Sequence, residues 1–158
     1  MQTVTRETLI ETAAALLADG TVDRVYGWKR GEFVYDVTPA LFRSAEEMRS
    51  DFVWDDFCGA NFSKYLVGET RRGEERILVF LKPCDTYSFN QLLTEHRFDR
   101  EKVYAVGVPC GGMADIRRIK EQAGDGVTGV TRDGDTLVVH TLYDGDVTLP
   151  LAECLPDR

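Results

Sequence analysis

No two of the four cysteines in this sequence stand in Cys-x-x-Cys spacing. That absence argues against a zinc ribbon and against a self-contained ferredoxin motif. The helix-opening Gly-x-Gly-x-x-Gly order of a dinucleotide fingerprint is also missing. Basic residues are in deficit, with 19 Lys and Arg against 27 Asp and Glu and a net charge of −8. An acidic surface disfavours nucleic acid and anionic membranes as partners, although a local basic patch can still hold an anion. The apolar runs are far too short to span a bilayer. The first six residues, Met-Gln-Thr-Val-Thr-Arg, lack the apolar stretch of a signal peptide. These absences lead to the expectation of a cytoplasmic protein without a membrane span. Histidine is scarce: His96 and His140 are isolated and read as surface or helix-end residues rather than bases. No Ser-His-Asp or paired-carboxylate constellation is readable.

What is present is one design used twice. Residues 77–85 read Ile-Leu-Val-Phe-Leu-Lys-Pro-Cys-Asp, and residues 103–111 read Val-Tyr-Ala-Val-Gly-Val-Pro-Cys-Gly. A short β-prone apolar run bounded by breakers predicts a buried strand. Proline cannot donate to a ladder, so the strands should stop at Pro83 and Pro109. Cys84 and Cys110 then sit just past the C-terminal ends of two strands, the edge where open parallel sheets bind ligands.

The 158 residues fit a single α/β domain, with residues 1–126 carrying the Pro-Cys strands and residues 127–150 a β meander. Leu9, Ile10, Ala13, Leu16 and Leu17 share a face of a helix over 5–18, which opens at Thr5 or Thr8 and ends at Asp19-Gly20. Residues 22–27 and 32–37 are predicted strands around a solvated Lys29-Arg30-Gly31 turn. Ser44-Ala45-Glu46-Glu47 starts a second helix. A third is expected over 56–67, carrying Cys58 and capped by Gly68, with a charged surface loop over 69–76. Asp85 is a candidate N-cap for a helix whose apolar face is Phe89, Leu92 and Leu93. The strand–helix–strand order makes a βαβ unit and hence parallel strands. A helix with Met113, Ile116 and Ile119 inward should follow Gly111-Gly112. Asp133-Gly134 and Asp144-Gly145 separate three β-prone runs and predict an antiparallel meander. The expected fold is a small parallel or mixed central sheet flanked by helices, with that meander at its C-terminal end. Trp28 and Trp54 read as core or interface anchors.

Four soft side chains suit iron–sulfur or zinc chemistry. Neighbouring strands lie ~5 Å apart, so the thiols of Cys84 and Cys110 could reach one metal centre. Both fall near helix starts, where dipole and free amides favour thiolate. Gly107, Gly111 and Gly112 remove bulk around Cys110 and admit a cofactor to the backbone. Cys58 offers a third sulfur and Cys154 reads as structural or incidental. The alternative stays open: free cysteine is often a small buried hydrophobe. A Cys84–Cys110 disulfide fits the spacing but not a reducing compartment.

At the Pro-Cys units the sequence resembles the coenzyme F-420 hydrogenase/dehydrogenase beta-subunit-like family. Leu81-Lys82-Pro83-Cys84-Asp85 is similar to that family's Lys-Gly-Cys-Asp element, with Pro83 in place of the usual glycine. Residues 99–103 and the Gly107-Val108-Pro109-Cys110 run resemble its downstream stretch, and residues 56–66 its Cys-x-x-Asn-Leu-x-x-Tyr-Leu region, with Phe62 for leucine. Asp133-Gly134-Asp135-Thr136-Leu137 and Leu149-Pro150-Leu151-Ala152 fit its tail, so the resemblance runs from about residue 10 to the end. Longer relatives continue into a Cys-rich, ferredoxin-like segment and a larger C-terminal domain, so the chain is read as a truncated piece or a stand-alone module.

The resemblance implies an electron-transfer module of a redox complex. It implies a [4Fe–4S] cluster with Cys58, Cys84 and Cys110 as ligands and Cys154, a non-cysteine group or another chain as the fourth. It also implies FAD, reduction or oxidation of a deazaflavin coenzyme, and partner hydrogenase, dehydrogenase or ferredoxin-like subunits. Two other expectations compete: a cofactor-free interaction subunit, and a thiol redox protein using Cys84 or Cys110 as nucleophile.

Overall fold

The computed structural model describes residues 4–156. Met1 to Thr3 of the N-terminal stretch read above lie outside the described residues. Helix α1 (Arg6–Ala18) starts at Thr5, whose hydroxyl accepts the backbone N–H of Thr8 at 3.2 Å. Leu9, Ile10 and Ala13 bury its apolar face. The next strands are β1 (Arg24–Arg30) and β2 (Val37–Phe42), antiparallel neighbours. The turn between them falls at residues 31–36, later than the sequence predicts. Asp36 closes it: its carbonyl accepts from Gly31 N at 2.6 Å and its carboxylate from Glu32 N at 3.2 Å. Pro39 lies within β2, which is possible because β2 is an edge strand whose missing donor faces away from the ladder.

Helix α2 (Ala45–Asp51) is capped by Ser44, as its sequence predicts, and leads into the short β3 (Phe52–Val53) against β1. The third helix differs from expectation. Residues 54–62 form a looped segment, and α3 runs Ser63–Arg72. Short side-chain turns displace the helix: Asp55 Oδ1 accepts from Phe57 N at 2.9 Å and Asn61 Oδ1 from Ser63 N at 2.9 Å. Gly68 lies inside α3 with open space where a Cβ would point, and residues 69–72 are helical rather than loop.

The centre is β4 (Ile77–Leu81), buried along its whole length, with β1 on one side and β5 (Val103–Gly107) on the other, both parallel to it. The sheet order is β2-β1-β4-β5. Helix α4 (Asp85–Thr94) and a 3-10 turn (Arg100–Lys102) connect β4 to β5, completing the βαβ unit. A fully apolar strand flanked by strands on both sides is what a parallel sheet demands. Each of its five side chains contributes roughly 1.5–3 kcal/mol by leaving water.

After β5 the chain takes an irregular path to Asp115, which caps α5 (Ile116–Ala123) through the Arg117 N–H at 2.9 Å. Met113 therefore precedes the helix instead of lying on it. The meander is β6 (Val127–Asp133), β7 (Thr136–Thr141) and β8 (Gly145–Pro150), followed by the single turn α6 (Leu151–Cys154). Gly134 and Gly145 hold positive φ in its turns. The meander and α5 enclose a second apolar core around Ile119, Leu137, Val139 and Cys154, distinct from the first around Trp28, Phe62 and Phe80. Among the described residues no helix is long and apolar enough to cross a membrane.

Candidate functional site

The parallel register pairs Leu81 with Gly107, so Cys84 and Cys110 each lie three residues beyond a matched pair. Val108 N donates to Leu81 O at 2.8 Å and carries the pairing one step past the strands. The two thiols thus emerge at the same C-terminal edge of the sheet, both free. Cys84 is exposed at the N-cap of α4, where the candidate cap Asp85 instead occupies the first helical position. Partial burial, the Asp85 carboxylate and neighbouring Cys110 together raise the Cys84 thiol above its ordinary value, partly opposed by Lys82.

Cys110 lies in a cleft of about 280 Å³ whose walls are Trp54 to Asp56, Pro109 to Met113 and Arg132. Arg132 reaches from β6 to Asp56 at 2.7 Å, tying the meander to the looped segment. Burial raises the Asp56 carboxyl, with Arg132 pulling the other way. Asp55 pairs with Arg30 on the same rim. Trp54 donates its indole N–H to Val4 O at 3.2 Å and is half-buried, whereas Trp28 is fully buried. A Cβ at Gly107 would meet open space, and one at Gly111 only Arg132 Nη1 at 3.7 Å. Gly112 is different: its φ is +109°, and a Cβ would press on Leu155 at 3.0 Å. Gly107 and Gly111 leave backbone open to an incoming group; Gly112 shapes the loop.

The other two cysteines are buried. Cys58 is fully buried in the first core, between the Asp55 N–H at 3.3 Å and the Val53 carbonyl at 3.5 Å. Burial drives its thiol strongly upward, so it stays protonated. Cys154 is buried in the second core, and its carbonyl accepts from Asp115 N at 2.7 Å. Among the described residues no three His, Cys, Asp or Glu side chains cluster as a metal site. The four thiols therefore do not fit one four-cysteine cluster in this arrangement. Cys84 and Cys110 are the two that share one sheet edge.

Beneath Cys84 lies a charged pair that the sequence reading passed over. Lys82 Nζ stands 2.9 Å from Asp85 Oδ2, donates to Ala60 O at 3.1 Å and lies 5.0 Å from the Trp28 ring centre. Its signal was a lysine joined directly to five apolar residues, with an aspartate three positions on. The His residues fall as predicted: His96 follows α4, and half-exposed His140 on β7 pairs with Asp146 at 2.7 Å.

No family model matches the chain. It is similar to the beta subunit of F420-dependent formate dehydrogenase from Methanocaldococcus jannaschii, 31% identical over 97 residues, which cover 61% of this chain and 25% of that protein. It is likewise similar to the beta subunit of F420-dependent formate dehydrogenase 1 from Methanococcus maripaludis, 31% identical over 106 residues, covering 67% and 27%. The chain thus matches about a quarter of the length of these curated relatives. Among solved structures, a chain of the F420-reducing [NiFe] hydrogenase complex from Methanosarcina barkeri, studied by xenon derivatization, superposes with a TM-score of 0.70. That match covers 91% of this chain and 53% of the other at 15% identity, a likeness of fold. Over the matched part, these likenesses of sequence and fold support an F420 hydrogenase/dehydrogenase beta-subunit-like family.

Proposed function

We propose that this chain is a redox module of an F420-dependent hydrogenase or dehydrogenase complex, acting in the cytoplasm beside other subunits of that complex. One observation carries the reading: two free thiols leave adjacent parallel strands at one sheet edge, beside a cleft and an open glycine backbone. In this reading Cys84 and Cys110 hold an iron–sulfur cluster from one side, and its remaining ligands come from outside the pair. A bound cluster supplies one-electron transfer. The chain's own residues do the rest. Cys84 offers its sulfur at the α4 N-terminus, and Arg132 and Asp56 close the cleft wall. Gly107 and Gly111 admit a flat group such as FAD to the backbone. Cys58 and Cys154 act as buried packing groups.

The test is anaerobic purification followed by iron, sulfide and flavin analysis and an absorption spectrum. Iron and sulfide that disappear in Cys84→Ser and in Cys110→Ser support the reading. If both variants keep their colour, the ligand assignment fails. A second reading is favoured by the burial of Cys58 and Cys154 in two separate apolar cores. In it the chain keeps the family fold as a cofactor-free interaction subunit, and the protein is colourless with slow thiols. One fast thiol in a colourless protein instead indicates thiol redox chemistry at Cys84 or Cys110.

A further inference from the structure

Lys82 and Asp85 are 1% and 2% exposed, at the end of the central strand. Removing two charges from water is costly, and a matched apolar pair often holds such a position as well or better. Packing alone therefore gives no reason for this pair. What an apolar pair cannot do is close a ring. Asp85 Oδ2 accepts from the Lys82 backbone N–H at 3.0 Å and stands 2.9 Å from Lys82 Nζ. The Lys82 carbonyl accepts Asp85 N at 2.9 Å. Residues 82–85 are thus clamped at both ends, with Cys84 on the outer side and its Sγ 3.7 Å from Asp85 Oδ1. The third Lys82 contact, to Ala60 O, fixes the ring to the looped segment that also carries Asp55 and Asp56 of the Cys110 cleft. The same two side chains therefore set Cys84 and brace the segment that walls Cys110.

We propose that Lys82 and Asp85 are positioning residues that fix the Cys84 sulfur at the sheet edge it shares with Cys110, so that both sulfurs take one thiophilic centre together. The inference rests on Cys84 and Cys110 acting as a pair, and its test separates the two ideas. Phenylarsine oxide reads paired thiols directly. Arsenic forms one As–S bond to each sulfur, and its oxide oxygen leaves as water with both thiol protons, without a change in oxidation state.

The reduced full chain is titrated with phenylarsine oxide, and binding is read as protection of the Cys84 and Cys110 peptides from maleimide. The unmodified chain binds one arsenical, and Cys84→Ser or Cys110→Ser abolishes it. The charge-balanced variant Lys82→Met/Asp85→Leu keeps the fold, shown by unreactive Cys58 and Cys154. Its arsenical affinity falls about 10- to 100-fold, the range for losing an outer partner of a ligand. Its single-thiol maleimide rate at Cys84 changes far less, a split that a general loosening does not produce. If the double variant exposes Cys58 or Cys154, Asp85→Asn decides, with the same loss expected. A folded variant that binds as tightly as the unmodified chain overturns the positioning role while leaving the pair intact. An unmodified chain that does not bind overturns the pair itself.

Discussion

The two Pro-Cys units share their punctuation but not their surroundings. The first leaves the most buried strand of the sheet and turns at once into α4, its cysteine perched above a buried ion pair. The second leaves an edge strand, passes two glycines and wanders to Asp115 before a helix begins, its cysteine sunk in a cleft. Sheet position accounts for part of the difference, because a central strand has neighbours on both sides and an edge strand has one. The residue after the cysteine accounts for the rest. Asp85 can bond back to Lys82, while Gly111 has no side chain to bond with. A repeated motif therefore yields one rigid thiol and one sheltered thiol.

Substitutions should widen or erase this contrast. Lys82→Ala strands the buried Asp85 carboxylate and is expected to cost about 3–5 kcal/mol in urea unfolding; a loss below about 1 kcal/mol would make the first unit no more rigid than the second. Next in size, Gly112→Ala forces a side chain into φ +109° against Leu155 and should cost about 1–3 kcal/mol. Gly107→Ala, with open space at its Cβ, should stay within about 0.5 kcal/mol.

Cys58 gives a pH test. Its folded thiol is raised by burial, so its contribution is complete below its ordinary value of 9.0 and is lost as pH climbs above it, by up to about 1.4 kcal/mol per pH unit. Urea midpoints from pH 7 to 10 should fall less steeply in Cys58→Ala. Maleimide kinetics compare the units directly: Cys84 should react before Cys110, with Cys58 and Cys154 reacting only on unfolding. Because the Cys84 thiol is raised, its rate should still be increasing above pH 9.0. The smallest effect belongs to Arg132→Ala, which breaks a partly exposed pair worth under about 1 kcal/mol. It should nonetheless speed Cys110 labelling while leaving Cys84 unchanged.

Much of this fold was legible in the sequence. Thr5 and Ser44 cap their helices as their hydroxyls predict, and the Asp-Gly pairs mark the meander turns. The misreadings share a cause. Asp55 and Asn61 make side-chain turns that compete with helix, which moves α3 to a later start and takes Cys58 off it. Asp36 likewise holds residues 31–36 in a turn, which moves β2 past the expected 32–37 to Val37–Phe42. Of the candidate site, the placing of Cys84 and Cys110 at one sheet edge followed from the βαβ pattern, because parallel pairing brings strand ends together. The burial of Cys58 and Cys154 did not follow, since spacing carries no information on which core a cysteine enters.

The sequence by itself determined the local matter: where strands stop at proline, where helices take a cap, and that two thiols follow two strands. These depend on each residue's own donors, acceptors and permitted φ. Only the tertiary structure decided that Arg132 reaches Asp56 across 76 positions of chain, that Lys82 is sealed from water, and that the Cys84 thiol is exposed, Cys110 half-buried and the other two buried. Those outcomes depend on which surfaces exclude water from one another, a property of the packed layers rather than of neighbours along the chain.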